Sequence, residues 1–349
     1  ILTAGETIVK PRDFWVTRVA DIEGFLKTVR KGKVRKICRS AGGRPVYAVS
    51  YGKKSTPSRT ANYAAAMQAH KPEAFYGKSS GRTKSIVMIA GVHGAEVEGV
   101  MGMINLISSL ETGRDLAGNE RGNILRAAEG LRIVIVPLAN PDGRERVPIE
   151  DFVGRPVKDI PRYGQGVWAN GRVMNHPEMK KIHPMRKDVR FLGGYFNDDG
   201  VNIQTDCEFT SFLARETKAI LGLTVDEVPE AVVNIHSCSL PPFLLYKGAS
   251  IPAAYEVRQA QVAEACRGKL AQRELRPLDS YRHSSGDGVV SLNTLFHYLT
   301  GALPLCYEGP HGTLDHPYTH EEILEIHLAF AETFLELLSD EGLRPPLPF

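Results

Sequence analysis

A histidine and a glutamate stand three residues apart where an apolar segment of the chain ends. Residues 86–90 have the length and composition of a buried strand, and a helix is predicted to begin near Glu96. In the first turn of that helix, the side chains of His93 and Glu96 would lie on one face. An imidazole and a carboxylate placed together can provide two of the three protein ligands of a catalytic zinc ion. The same pair is also compatible with an ordinary strand-end histidine and a glutamate that interacts with the helix dipole.

Other predicted strands end in polar residues too. In open α/β sheets, ligands bind beyond the carboxyl ends of the strands, so residues at these ends are expected to meet. His93, Glu96 and His236 would supply three zinc ligands and leave one position open for water. The predicted strands are 231–235, which precedes His236, 302–307, which precedes Glu308, and 131–138, which precedes the Asn-Pro-Asp-Gly motif at 140–143.

Glu308 would be the carboxylate that remains beside the metal rather than on it. A zinc ion can lower the pKa of its water from 15.7 to about 7. A nearby glutamate can accept the released proton and later deliver it to a leaving group. Taken singly, His236 is compatible with a core histidine and Glu308 with a solvated loop carboxylate. Their joint placement at strand ends favours a hydrolytic metal site.

The length of the chain suits one large or two ordinary domains, and we expect a single α/β catalytic domain over 1–349. Residues 1–84 are expected to pack on it as an N-terminal helix, a hairpin and a surface loop. Residues 144–200 lack periodicity, and a loop this long inside a compact domain is usually functional. The predicted helices are 21–29, 96–110, 207–221, 253–275 and 320–338, the hairpin pairs 34–38 with 45–51, and Phe243–Tyr246 is a further short strand.

Composition excludes several classes of protein. The chain has 349 residues, of which 42% are hydrophobic and 24% charged, and this is typical of a globular protein. A net charge of +3 is too small to indicate binding to nucleic acid, and no apolar run approaches the ~18 residues of a membrane span. The five cysteines include no CxxC pair, so neither a zinc ribbon nor a disulfide framework is indicated. The compartment stays open, with a secreted or periplasmic location favoured over the cytoplasm, and the oligomeric state is not predicted.

The ordered motifs resemble those of the zinc carboxypeptidase metallopeptidases. That family has HxxE after one strand, NPDG after the next, a GVDxNR segment, a strand ending in His-Ser and a strand with a catalytic glutamate. The resemblance implies a three-layer α/β/α sandwich around a mixed sheet of about eight strands. It also implies one Zn²⁺ on His93, Glu96 and His236, with Glu308 as general base and acid. The motifs stand, in order, at 93–96, 140–143, 200–202, 234–237 and 307–308.

The chain departs from the family pattern after residue 201. The family typically reads Asp-Leu-Asn-Arg, whereas this chain reads Asn-Ile-Gln-Thr at 202–205. In the family, the Asn-Arg pair binds the substrate's C-terminal carboxylate, the arginine through a bidentate ion pair. Gln204 and Thr205 are expected to contact the substrate without that charge. Asn202 is expected to orient a zinc histidine where the family has an aspartate. The specificity pocket is therefore expected to recognise something other than an ordinary C-terminal residue.

Two further family positions have candidates in this chain. The family places an arginine from the loop after NPDG at the oxyanion of the tetrahedral intermediate. Arg186 is favoured for this role because its neighbours and its distance before Gly200 are similar to the family's segment, and Arg190 is expected at the substrate. Tyr281 stands roughly where the family has a mobile tyrosine that contacts substrate. The rivals of Arg186 are Arg144, Arg146 and Arg155.

The resemblance implies a zinc-dependent hydrolase of a peptide or amide bond, with a peptide or acyl-amino-acid substrate. A deacylase-like amidohydrolase, whose substrate has no α-carboxylate at the usual place, remains an alternative. So does a catalytically silent module that binds peptide or glycan on the same fold. A binding module has no need of a general base, so Glu308 favours an enzyme. Neither a nucleic-acid partner nor membrane insertion is expected.

Overall fold

Runs of apolar residues rich in Val and Ile form the central strands of a mixed β-sheet. The computed structural model of the chain describes residues 12–56, 61–77, 82–207, 211–246, 251–276, 282–283 and 290–345. Within these residues the sheet has the strands β1 (Lys33–Arg39), β2 (Pro45–Tyr51), β3 (Ser85–Ala90), β4 (Arg132–Val136), β7 (Ala231–Cys238), β8 (Phe243–Tyr246), β9 (Arg282–His283) and β10 (Leu303–Pro310). The short strands β5 (Gly166–Trp168) and β6 (Val189–Leu192) pair separately.

The middle of the sheet is parallel and its outer strands are mostly antiparallel. The spatial order of these eight strands is β1-β2-β4-β3-β7-β10-β8-β9. The pairs β3–β4, β3–β7 and β7–β10 are parallel, whereas β1–β2, β2–β4 and β8–β10 are antiparallel. Buried parallel strands read as near-continuous apolar runs, which is why β3, β7 and β10 were visible in the sequence. Their carboxyl ends meet at one edge, where the polar residues follow.

Helices cover both faces of the sheet. Successive strand residues point to opposite faces. Accordingly, Ile86 and Met88 of β3 belong to one core, and Val87 and Ile89 belong to another. The described helices are α1 (Val19–Leu26), α2 (Tyr63–Gln68), α3 (Glu73–Tyr76), α4 (Val97–Thr112), α5 (Gly122–Ala128), α6 (Pro141–Arg146), α7 (Arg215–Glu227), α8 (Ala253–Gln272), α9 (Leu292–Thr300) and α10 (His320–Asp340).

The two cores identify which helices cover which face. The first core includes residues of α1, α4, α5, α8 and α10, and the second includes residues of α7 and α9. The sheet is therefore the middle layer of an α/β/α sandwich, and this confirms the predicted fold class. None of the helices within the described ranges combines the length and the apolar character needed to cross a membrane.

Several predicted elements differ from the observed ones. The hairpin of β1 and β2 is part of the central sheet, because β2 pairs with β4. Helix α7 starts at Arg215 rather than near 207. The Asp206 carboxylate accepts hydrogen bonds from the amides of Leu213 and Ala214, directly before the helix. Helix α9 was not predicted, although a capping box formed by Ser291 and Thr294 marks its start.

The segment between α6 and residue 202 has a small core of its own. It contains the β5–β6 pair and short helical turns but no long element. The core, here called the methionine cluster, lies apart from the two cores of the sheet. Its buried members are Met174, Met179, Met185 and Phe196. Because this core is formed by residues that are not neighbours in sequence, no periodic pattern in the sequence predicts it.

Candidate active site

The His-x-x-Glu motif forms a tight turn between β3 and α4. Gly91 has φ +63°, and a Cβ there would lie 2.8 Å from Leu138 Cδ1, so the turn requires glycine at this position. Glu96 immediately precedes α4, so the pair lies before the helix rather than within its first turn. His93 Nδ1 nevertheless lies 2.8 Å from Glu96 Oε1, as the spacing predicts.

His236 approaches the same carboxylate from β7. Its Nδ1 atom lies 2.9 Å from Glu96 Oε2. The three candidate ligand atoms, one each from His93, Glu96 and His236, all lie within 4.8 Å of one another, and the three residues are buried. Two imidazole nitrogens and a carboxylate oxygen match the donor set of a catalytic His₂Glu zinc site, so the residues fit that metal.

Asn202 determines which nitrogen of His93 faces the cluster. The Asn202 Oδ1 atom lies 3.3 Å from His93 Nε2 and also accepts a hydrogen bond from the amide of Gln204. An amide oxygen can only accept, so the Nε2–H of His93 donates to it and Nδ1 is the ring nitrogen that faces Glu96. The structure thus places Asn202 where the sequence led us to expect it.

The charges within the cluster suit a divalent cation. Burial lowers the pKa of His93, which keeps this imidazole neutral. Burial alone would raise the pKa of Glu96, but the two neighbouring histidines outweigh it and hold the pKa well below its usual range. Burial would likewise lower the pKa of His236, but the Glu96 carboxylate raises it above the ordinary value. A bound cation would compete with the proton on His236, so metal binding here depends on pH.

Glu308 stands beside the cluster on the neighbouring strand. It pairs in register with His236 across the parallel β10–β7 pair, so the two side chains extend to the same face of the sheet. Burial raises the pKa of Glu308 to about 7, with Glu96 raising it further and His236 and His311 opposing. A carboxyl group with a pKa near neutrality can both accept and deliver a proton.

His311 and Glu98 form a buried ion pair near Glu308, and sequence analysis assigned no chemistry to it. His311 Nδ1 lies 3.0 Å from Glu98 Oε2, and both residues are buried. Burial alone would lower the pKa of His311, but the Glu98 carboxylate outweighs it and raises the pKa. His311 therefore adds positive charge near Glu308.

Tyr195 is a site residue that sequence analysis missed. Its ring stacks on the ring of His93, with centroids 3.8 Å apart and planes 6° from parallel. Burial, and after it the charges of Glu96 and Glu308, raise the pKa of the Tyr195 hydroxyl, which therefore lies near both carboxylates. Tyr195 follows two glycines in a segment without periodicity, so no sequence pattern pointed to it.

Lys180 is a second missed residue. Its positive charge acts on both His93 and His236 and opposes their protonation. The lysine is exposed and lies on a short 3-10 helix, Glu178–Lys181, which is anchored by Met179 of the methionine cluster. Across the described part of the chain, no carboxylate forms an ion pair with Lys180.

The two arginines favoured from sequence are on the surface. Arg186 is exposed, and its Nε donates to the carbonyl of Asp199 at 3.0 Å. Arg190 is exposed on β6. Arg172 is also exposed and lines an open groove of about 520 Å³ with Trp168.

The rival arginines have structural partners. Arg144 is fully buried and donates to the carbonyls of the loop after α6, including Val147. Arg146 donates to the carbonyls of Gly193 and Phe196. Arg155 donates to the carbonyl of Asp151 at 3.0 Å. All three guanidinium groups therefore hold loops together.

Gln204 and Thr205 follow Asn202 in a short 3-10 helix, Ile203–Thr205, and both are half-buried. Gln204 Oε1 accepts a hydrogen bond of 2.8 Å from Asn234 Nδ2. Asn234 lies two residues before His236 on β7, so the glutamine contacts the face of the sheet that carries the cluster. Tyr281 lies outside the described residues.

The NPDG motif supports the turn that carries His93 and Glu96. It forms the start of α6, because the Asn140 side chain accepts a hydrogen bond from the amide of Gly143 and caps the helix. The buried Asp142 carboxylate accepts hydrogen bonds from Ser40, the amide of Gly42 and Arg44. The motif thus ties the hairpin loop to the His-x-x-Glu turn.

Comparison with known proteins agrees with this geometry. The sequence model of the zinc carboxypeptidase family matches residues 28–336. Comparison with curated proteins returns no match. The fold is similar to that of a metallo-carboxypeptidase from Burkholderia cenocepacia (TM-score 0.58, 16% identity, 92% of this chain and 68% of that chain). It is also similar to that of a metallo-carboxypeptidase from Pseudomonas aeruginosa (TM-score 0.52, 14% identity, 93% of this chain and 68% of that chain). With the family's sequence model matched over most of its length, the chain belongs to the zinc carboxypeptidase family and is a metallopeptidase-like hydrolase.

Proposed function

We propose that this protein binds one zinc ion per chain through His93, Glu96 and His236 and hydrolyses a peptide or amide bond, with Glu308 as general base and acid. The observation that carries the proposal is the buried three-residue cluster with Glu308 in register beside it. Glu308 has no role in a module that only binds peptide or glycan. A complete ligand set together with a general base supports an enzyme.

The chain's own residues would divide the chemistry between them. Zinc, when bound, supplies a Lewis acid that makes a water molecule more acidic. Glu308 would take the proton from that water and later deliver it to the leaving amine. Asn202 would keep His93 in the tautomer with a free Nδ1. His311 would stabilise the ionised form of Glu308.

Metal content tests the ligand assignment. In His236→Ala, one imidazole ligand is lost, and we expect the purified protein to be folded but free of stoichiometric zinc. His316→Ala is the matched control, because His316 is a partly exposed histidine of the loop before α10. Zinc would be quantified by elemental analysis, with circular dichroism to verify folding. A stoichiometric zinc content in His236→Ala would refute the assignment.

Substitution of the general base tests the mechanism. Glu308→Gln should retain zinc and lose about 10²–10⁴-fold in kcat, because the side chain can no longer accept a proton. Glu129→Gln, at an exposed position after α5, is the control and should leave kcat unchanged. Near wild-type turnover in Glu308→Gln would show that another group acts as the base.

We also propose that the substrate is not held by an ordinary C-terminal carboxylate site. Gln204 and Thr205 carry no charge, and Gln204 is hydrogen-bonded to Asn234. Lys180 is the cation whose charge acts on the zinc histidines, but it is exposed and on a short helix. A single exposed lysine binds an anion as a screened point charge, more weakly than a bidentate arginine. An amidohydrolase of the deacylase kind is the second candidate. The absence of the Asn-Arg pair that binds a C-terminal carboxylate favours it equally.

Matched peptides ending in carboxylate and in carboxamide test this proposal. We expect the preference for the free acid to stay below about a hundredfold in kcat/KM, equivalent to about 2.7 kcal/mol. The residual preference should disappear in Lys180→Gln and persist in Lys181→Gln, the exposed neighbour on the same short helix. A larger preference that survives Lys180→Gln would show that a different cation binds the terminal carboxylate.

A further inference from the structure

We infer that the hydroxyl of Tyr195 donates a hydrogen bond to the oxyanion of the substrate's tetrahedral intermediate. This inference rests on the proposed hydrolytic function. The ring of Tyr195 stacks on His93, and its hydroxyl lies near the carboxylates of Glu96 and Glu308. The hydroxyl is thus next to one ligand of the candidate metal site and to the general base, where the reacting carbonyl group has to be placed.

The backbone around Tyr195 is held against the His-x-x-Glu turn. The amide of Gly94 donates to the carbonyl of Gly194 at 2.7 Å, and the amide of Tyr195 donates to the carbonyl of Gly164 at 2.9 Å. A Cβ at Gly194 would lie 2.7 Å from the amide nitrogen of Ala95, so glycine is needed for this approach. Tyr195 is therefore positioned before substrate arrives, and an oxyanion donor is effective only if it is preorganised.

The arginines considered for this role are engaged elsewhere. Arg186 is exposed and bound to the carbonyl of Asp199. The guanidinium groups of Arg144, Arg146 and Arg155 hold backbone carbonyls of their own loops. The ring of Tyr195, in contrast, is in direct contact with His93.

The chemistry of a phenol suits the role. A tyrosine hydroxyl has an ordinary pKa of about 10, so it is protonated at neutral pH and can donate. The substrate's carbonyl oxygen gains negative charge as water attacks, and a hydrogen bond to it becomes stronger in the transition state than in the ground state. The proton stays on the tyrosine oxygen throughout, and Glu308 carries out the proton transfers.

Tyr195→Phe tests the inference because it keeps the ring stacked on His93 and removes only the hydroxyl. We expect kcat on a peptide substrate to fall by about 10²–10³ with little change in KM. Zinc affinity, measured by competition with a chelator, should stay within about threefold of wild type because no ligand is changed. Binding of a phosphinic peptide, which mimics the tetrahedral intermediate, should weaken by the same factor as kcat, whereas binding of the peptide product should not change.

Tyr47→Phe on β2 is the matched control, because Tyr47 is half-buried against the main core and lies outside the site. It should leave kcat, KM, zinc affinity and the binding of both peptides unchanged. The inference is overturned if Tyr195→Phe keeps wild-type kcat, or if its activity loss follows a loss of zinc affinity and is restored by excess zinc. If wild-type protein shows no zinc-dependent hydrolysis and does not bind the phosphinic peptide, both the proposed function and this inference are wrong. Hydrolysis by wild type and Tyr195→Phe alike would refute the inference alone.

Discussion

At the residue scale, one atom of Asn202 contacts a candidate metal ligand, His93, and should change its properties. Its Oδ1 atom accepts the Nε2–H of His93 at 3.3 Å, and it does so as a neutral amide. Partners of this kind orient the imidazole and raise its basicity, and their loss typically reduces metal affinity by about 10–100-fold. A carboxylate would do both more strongly than an amide, because the hydrogen bond would be charge-assisted.

Two substitutions at this position should therefore change zinc affinity in opposite directions. Asn202→Leu removes the acceptor and is expected to weaken zinc binding by about 10–100-fold. Asn202→Asp is expected to strengthen it. Chelator competition on purified protein measures both. An unchanged zinc dissociation constant in Asn202→Leu would mean that the ring of His93 is held by Tyr195 stacking alone.

The pH dependence of activity should report Glu308 and its neighbours. Burial raises the pKa of Glu308 to about 7, and the carboxylate is the form that accepts a proton. Activity should consequently fall as the pH drops below the pKa of Glu308. That pKa is about 7 without metal, and the positive charge of bound zinc would lower it. His311→Gln removes a positive charge near Glu308, so the decline should move to higher pH. The profile of kcat/KM against pH measures this, with His316→Gln as control, and a shift to lower pH would contradict the assigned charge of His311.

At the scale of elements, the site depends on how closely three short segments pack. The His-x-x-Glu turn lies on the start of α6 and against the segment that carries Tyr195. A Cβ at Gly94 would lie 2.2 Å from the amide nitrogen of Arg144 and 2.6 Å from the carbonyl carbon of Gly143. Both neighbours are backbone atoms and cannot rotate away, so any side chain at residue 94 must separate the turn from α6.

Gly94→Ala is thus expected to damage the site and the fold together. Overpacking of this kind costs about 1–3 kcal/mol of stability, and displacement of the turn should also weaken zinc binding. Gly222→Ala is the control: its Cβ would meet open space within α7, and it should stabilise the protein by about 0.5–1 kcal/mol. Urea unfolding and chelator competition measure the two effects. A Gly94→Ala protein with wild-type stability would show that α6 can move.

The whole molecule shows where sequence reasoning succeeds and where it fails. Long apolar runs predict buried parallel strands, and their ends predict the cluster, because the sheet brings those ends to one edge. Glu308 was placed in this way without any contact information. Tyr195 and Lys180 were not predicted, since both belong to the segment 144–200, which is shaped by glycine-dependent backbone contacts and by the methionine cluster. Such contacts join residues distant in sequence and leave no periodic signal.

The fold should survive the loss of the proposed zinc ion. The two cores lie on opposite faces of the sheet and do not involve the three ligands. Treatment with a chelator is therefore expected to abolish activity and to lower the Tm while the circular dichroism spectrum is retained. Zinc at about 1,000-fold above its dissociation constant should stabilise the folded state by about 4 kcal/mol, and this increment should vanish in His236→Ala. Unfolding of the whole chain on zinc removal would contradict this account.

The methionine cluster makes the segment around the site sensitive to oxidants. Three of its four buried members are thioethers, and Met179 anchors the short helix that carries Lys180. Oxidation converts a methionine into a polar sulfoxide, which cannot return to an apolar core without cost. Because Met174, Met179 and Met185 are buried, peroxide reaches them only when the segment opens. The oxidation rate of these three methionines should therefore report how often the segment opens. Bound substrate or inhibitor should lower that rate.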